Sequence, residues 1–237
     1  MLENNKVIWS EGMFLRPQHF QQHDRYVENL VEGRCRVLRP YGWGFYALTI
    51  DADLFSIGKL AIKSCKGLFP DGTPFHLPEH DDLPPPLDLP ADCQNETIYL
   101  ALPVRQAEAL EADTETPSDG LTRYRLGERE VKDTATQNGT TSPVQVGILK
   151  TRLLRESDER SGYTCLGVAR VIEVKADKQI LIDDQYIHTG LNCQASPQLK
   201  GYIAELHGLL NTRAESIAGM VAEAGSGGVA EIADFLL

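Results

Sequence analysis

Residues 7–26 read VIWSEGMFLRPQHFQQHDRY, and the grouping of residue types in this stretch sets the reading of the whole chain. Val7-Ile8-Trp9 is an extended apolar piece, Ser10-Glu11-Gly12 a turn, and Met13-Phe14-Leu15 a second apolar knot. Pro17 then predicts a helix start, because its fixed φ suits a first turn and its missing N–H is not needed there. Phe20, Val27, Leu30 and Val31 share one side of that helix, and Gly33 is the expected stop. So many large apolar groups in a short, non-periodic arm need cover, from the body of the protein or from a partner. Trp9, Phe14 and Phe20 are therefore expected to be buried in one of those two ways. Removing each ring from water is worth about 1.5–3 kcal/mol. The same residues, with Met13, Leu15 and Arg16, form the candidate docking surface, since these are types that anchor interfaces.

Downstream of the helix the period changes from 3.6 to 2. Phe45, Ala47 and Thr49 alternate against Tyr46, Leu48 and Ile50. Residues 54–65 and 73–77 read as strands around a Pro70-Asp71-Gly72 turn. Residues 81–90 hold Pro84-Pro85-Pro86 and predict an extended surface strap. Further strands are expected at 97–104, 121–131, 144–154, 163–174 and 180–182, with loops at 111–120 and 133–143. Pro/Gly punctuation with no helix between the strands predicts an antiparallel β-sandwich over residues 1–192, arm included. The remainder, 193–237, turns helical. Leu199, Ile203, Leu206, Leu210, Ile217, Met220 and Ala224 recur at alternating steps of four and three, with Arg213 in the remaining slot. That is a bundle seam, and it marks these residues as the candidate oligomerisation surface. Gly225-Ser226-Gly227-Gly228 predicts a break between helices, and residues 229–237 a second helix. A helix ending on Phe235-Leu236-Leu237, without a polar cap, predicts a chain that continues further.

Composition limits the function classes. The chain has 237 residues, 42% hydrophobic and 24% charged, which is ordinary for a soluble globular protein. The net charge of −11 and the lack of a basic run argue against nucleic acid and anionic membrane surfaces as partners. Five dispersed cysteines without C-x-x-C spacing predict reduced thiols in a cytoplasm. No apolar run is long enough to span a bilayer, so direct membrane insertion is not expected.

Trp9, then Glu11-Gly12-Met13-Phe14-Leu15, then Pro17-Gln18-His19-Phe20-Gln21 resembles the N-terminal signature of the TssK family, also called VasE or ImpJ. These are baseplate subunits of the bacterial type VI secretion system. Weaker echoes follow in Pro40-Tyr41-Gly42-Trp43-Gly44, Phe69-Pro70-Asp71-Gly72-Thr73 and Tyr99-Leu100-Ala101-Leu102-Pro103. The family tends to carry prolines just after the last sandwich strand, whereas here Ile187 is followed by His188-Thr189. The resemblance implies a mainly β fold with C-terminal helices: a shoulder like that of phage receptor-binding proteins, then the start of a helical neck. It also implies a cytoplasmic homotrimer docked at the inner face of the inner membrane. The shoulder would engage the TssF–TssG wedge, and a head domain beyond this chain would engage the TssJ, TssL and TssM membrane complex. Its role would be structural, with no enzyme activity and no cofactor. The alternative from another class is a ligand- or glycan-binding sandwich module.

Residues with catalytic or metal chemistry are few. His19 and His23, with Asp24 beside them, have i, i+4 spacing but no evident third ligand. His76, His80, Asp81 and Asp82 form a second group, in which the aspartates are expected to cap a turn. A metal-dependent hydrolase built on that group is a third reading. The expectation is that no metal is held, and that chelators change neither stability nor assembly. The glycines at 225–228 lack the lysine and the preceding strand of a phosphate cradle, and no G-x-S-x-G elbow occurs.

Overall fold

The computed structural model of the chain describes residues 4–106, 109–113, 121–135 and 139–223. The predicted break at 225–228 and the second helix at 229–237 lie outside the described residues. The first element is helix α1, Pro17–Leu38, with Pro17 in its first turn as the sequence predicts. It does not stop at Gly33. A helical glycine is merely costly by about 1 kcal/mol relative to alanine, whereas Pro40 forces the residue before it out of the helical region. Arg39 accordingly closes the helix in an extended conformation.

Eleven strands follow among the described residues. Strands β1 (Gly44–Ile50), β3 (Ile62–Leu68) and β4 (Pro74–Leu77) form one antiparallel sheet in the order β1-β3-β4. Strands β6 (Gln94–Pro103), β9 (Arg152–Arg155), β10 (Tyr163–Val174) and β11 (Ile180–Ile182) form the second, in the order β11-β10-β6-β9. The two sheets share one core. Phe45, Ile62, Phe75 and Leu77 of the first meet Ile98, Leu100, Leu166, Val168 and Val171 of the second. Phe45 and Phe75 pack edge to face with centroids 5.8 Å apart, a favoured aromatic geometry. The mainly β fold with a helix at its C-terminal end is the architecture the sequence predicts.

Several predicted strands are divided. The stretch 54–65 is not one strand. Asp51 accepts a hydrogen bond from the Asp53 amide and caps a 3₁₀ turn at Ala52–Ile57, and Gly58 leaves it at positive φ. A short β2 (Lys59–Leu60) then precedes β3. The proline strap contributes β5 (Leu87–Asp88), which pairs with β2, so part of the strap is strand. Residues 144–154 are also split. β8 (Thr141–Leu149) pairs only with β7 (Tyr124–Lys132), while β9 joins the second sheet beside β6. Pro143 lies within β8, not in a loop, because β8 is an edge strand and needs no donor there. The strict alternation expected along β1 fails at a bulge between Phe45 and Ala47. The extra residue lets Phe45, Leu48 and Ile50 all serve the core.

Helix α2 spans Pro197–Glu223, 27 residues in one element. Its root is fixed locally. Asn192 Oδ1 accepts from the Ala195 amide to cap a 3₁₀ turn at Cys193–Ala195, and the buried Ser196 Oγ accepts from the Leu199 amide. The segment before it is held on β1: the Phe45 amide donates to the Thr189 carbonyl at 2.8 Å, and the Leu191 amide to the Phe45 carbonyl at 2.8 Å. Arg39, at the end of α1, donates to the Leu191 carbonyl at 3.0 Å. A Cβ on Gly44, whose φ is +134°, would lie 2.6 Å from that same Thr189 oxygen, so the close approach requires glycine.

Candidate protein-protein interface

The N-terminal arm folds onto α1, not onto the sandwich. Trp9 lies with its ring centroid 6.3, 6.4 and 6.1 Å from those of His19, Phe20 and His23. The Gln22 side chain donates from Nε2 to the Asn5 carbonyl at 2.8 Å, and the Arg16 backbone amide donates to His19 Nδ1 at 3.0 Å. These contacts shape the arm without burying it. Phe14 is 82% exposed, Phe20 54% and Trp9 47%; Leu15 and Arg16 are exposed and Met13 half-buried. Of the two kinds of cover expected for these rings, the chain's own sandwich does not supply it. They pack on a helix that is itself only lightly seated, since no residue of α1 is buried. Polar ties hold α1 instead: Arg105 forks onto Glu28, and Arg25 approaches Glu111 at 3.8 Å. Ile8, Trp9, Phe14, Leu15 and Phe20 thus remain uncovered apolar side chains on the arm and the first turns of α1.

The second uncovered surface is the seam of α2. Leu206 is 56% and Leu210 60% exposed, with Ile203 and Met220 also open to solvent. Leu199 and Ile217 are half-buried. Tyr202, Leu209 and Val221 widen the stripe, and Ala224 lies outside the described residues. A stripe of this width is broader than the narrow seam of a two-stranded coiled coil.

The proposed histidine pairs separate. His19 Nδ1 is engaged by the Arg16 amide, and among the described residues His19 and His23 gain no third ligand. His76 and His80 do come together, with ring centroids 5.1 Å apart. Their companion is Glu79, which the sequence reading passed over, and not Asp81 or Asp82. Asp81 accepts from the Leu149 amide at 2.9 Å and Asp82 from Arg125 Nε at 2.6 Å, so the aspartates tie the turn to β7 and β8.

Two further groups escaped the sequence. Arg123 is 2% exposed; its guanidinium donates to the Pro103 carbonyl at 2.6 Å, to Asp71 Oδ2 at 2.8 Å and to Thr73 Oγ1. His188 is buried edge-on to Phe45, with centroids 5.4 Å apart, beside the root of α2. Desolvation lowers its pKa below 6.5, against a smaller upward pull from a backbone hydrogen bond at Ala195. The unfolded chain therefore binds the proton more tightly than the folded one. His188 should favour folding fully above about pH 6.5, and that contribution should be lost as pH falls below it. Melting temperatures of the parent and a His188→Leu variant at pH 7.5 and 5.5 check this: the parent should lose more on acidification.

Comparison with known proteins gives a consistent set of likenesses. Residues 19–237 match the family described as bacterial type VI secretion, EvfL, ImpJ, VasE. Over 234 residues the chain is 46% identical to the type VI secretion system baseplate component TssK1 of Pseudomonas aeruginosa, covering 99% of this chain and 53% of that protein. It thus spans about half the length of the curated relative it matches. A crystal structure of TssK is similar with a TM-score of 0.85 at 35% identity, covering 99% of this chain and 53% of that one. A chain of a TssK-TssF-TssG baseplate subcomplex from cryo-electron microscopy is similar at 0.81 and 28% identity, covering 94% and 74%.

Proposed function

This chain belongs to the bacterial type VI secretion family that includes ImpJ and VasE, and from that membership we propose that it is a structural subunit of the secretion baseplate. In this reading residues 1–192 are the shoulder and 193–237 the start of a neck. Three copies join through α2, the shoulder takes up the TssF–TssG wedge, and a head domain outside these residues reaches the TssJ, TssL and TssM membrane complex. The assembly would sit in the cytoplasm against the inner membrane. The observation that carries the reading is the pair of uncovered apolar surfaces, the N-terminal arm and the α2 seam. One chain with two separate uncovered hydrophobic faces suits an adaptor. Relatives seen with TssF and TssG support the choice of partner. No helix among the described residues is long and apolar enough to cross a membrane, so attachment would run through other proteins.

The arm supplies the test. Trp9→Ser with Phe14→Ser removes two exposed rings whose loss should cost the monomer little. At an interface, anchors of this kind are worth about 2 kcal/mol or more each, and 1.4 kcal/mol is tenfold in affinity. Binding of the full-length protein to a TssF–TssG preparation should weaken at least about tenfold, with an unchanged melting temperature. Undiminished binding would remove the arm from the wedge interface.

A further inference from the structure

Residues 76–80 read His-Leu-Pro-Glu-His, and they close into a tight turn at the end of β4. The His80 amide donates to the His76 carbonyl at 2.8 Å and the Asp81 amide to the same oxygen at 3.3 Å. The closure places His76 Nδ1 3.0 Å from Glu79 Oε2. Among the described residues, His76, Glu79 and His80 are the one group of three potential ligands whose donor atoms all lie within 4.8 Å of one another. We propose that these three side chains bind a divalent transition ion, with Zn²⁺ as the best match.

The chemistry of the donor set favours that ion. Two imidazoles and one carboxylate are borderline-to-hard ligands of the kind zinc takes, in a set of three that leaves a position open. Zinc–ligand bonds of about 2.0–2.2 Å put tetrahedral neighbours about 3.3–3.6 Å apart. The His76–Glu79 pair is already near that edge length, and the exposed Glu79 and His80 can swing to complete the figure. The remaining surroundings do not compete. Asp81 and Asp82 are held by β8 and β7, and the ammonium of Lys66, the cross-strand neighbour of His76, lies over the Tyr46 ring. The same groups without metal form only a surface His–Glu pair. Occupancy is independent of the baseplate reading, since the turn is closed by its own backbone hydrogen bonds.

Zinc chloride titrated calorimetrically into the EDTA-treated, desalted 237-residue chain tests the site; cobalt(II) absorption reports the geometry. The expected result is one saturable equivalent and a tetrahedral cobalt spectrum. His76→Ala, Glu79→Gln and His80→Ala should each weaken binding at least about tenfold, the scale on which even outer-sphere changes act. The His19→Ala/His23→Ala double variant should bind as the parent does. Glu79 and His80 are exposed, so their variants remain informative if the His76 variant folds poorly. No saturable binding up to millimolar zinc, a loss in the His19/His23 variant alone, or full affinity in both the Glu79 and His80 variants would each overturn the assignment.

Discussion

Replacing Leu206 and Leu210 by Asp is expected to divide the mass of the assembly by three while leaving the β-sandwich folded. Both side chains are more than half exposed on the single chain, so the substitutions remove little intramolecular contact. In a three-helix seam the same positions face each other about an axis. Six carboxylates brought into an apolar bundle would have to be desolvated without partners, and several kcal/mol per buried ion is the scale of that penalty. A closed three-fold ring built from one repeated contact is an allowed arrangement, and every copy of the contact is hit at once. Residues 199–223 alone make a helix of about 37 Å at 1.5 Å per residue, too long a stripe to leave in water. Light scattering gives the mass, and far-UV circular dichroism with a thermal melt gives the fold. A double variant with the mass of the parent would show that α2 is not where the copies meet.

Replacing Arg123 by Ala should be the most damaging single change in the sandwich. Breaking a buried ion pair by removing one partner costs about 3–5 kcal/mol. Here the orphaned Asp71 is 31% exposed and partly rehydrates, so about 2–4 kcal/mol is the expected loss. The loss has three parts: the Pro103 carbonyl and the Thr73 hydroxyl lose their donor, and a cavity opens where the guanidinium stem lay. Asp71→Asn keeps the shape and loses one charge, and should cost less. Urea denaturation midpoints order the two variants. Equal or smaller damage from Arg123→Ala than from Asp71→Asn would mean that the arginine is not the hub.

Much of this molecule is legible residue by residue. Pro17 announces α1, Phe69-Pro70-Asp71-Gly72 announces the β3–β4 turn, and the four-three spacing from Leu199 announces α2, because each signal is local and backbone-determined. The Arg123 network is not legible. Its partners Asp71 and Thr73 lie some fifty positions away, and an arginine between Thr122 and Tyr124 reads as a surface residue. The seating of the arm is hidden for a related reason. Apolar crowding shows that Trp9 and Phe14 need cover, but the covering surface need not belong to the same chain. The part of Glu79 is not legible either, because only the turn closed by the His80 amide on the His76 carbonyl brings its carboxylate beside His76 Nδ1. The bulge in β1 leaves no mark in the alternation of residue types.

The joint between β1 and α2 has a mechanical meaning. Three hydrogen bonds on residues 189–191, two exchanged with Phe45 of β1 and one donated by Arg39, fasten the segment that leads into the helix within a span of three residues. A pull on α2 reaches all three together, and through them both the first sheet and the end of α1. Fasteners so closely spaced share a load and give way as one, where a longer ladder could be opened rung by rung. The chain entering the helix is thus tied at one place to both the first sheet and the end of α1, so strain applied there is shared between a strand and a helix that lie far from that place in sequence.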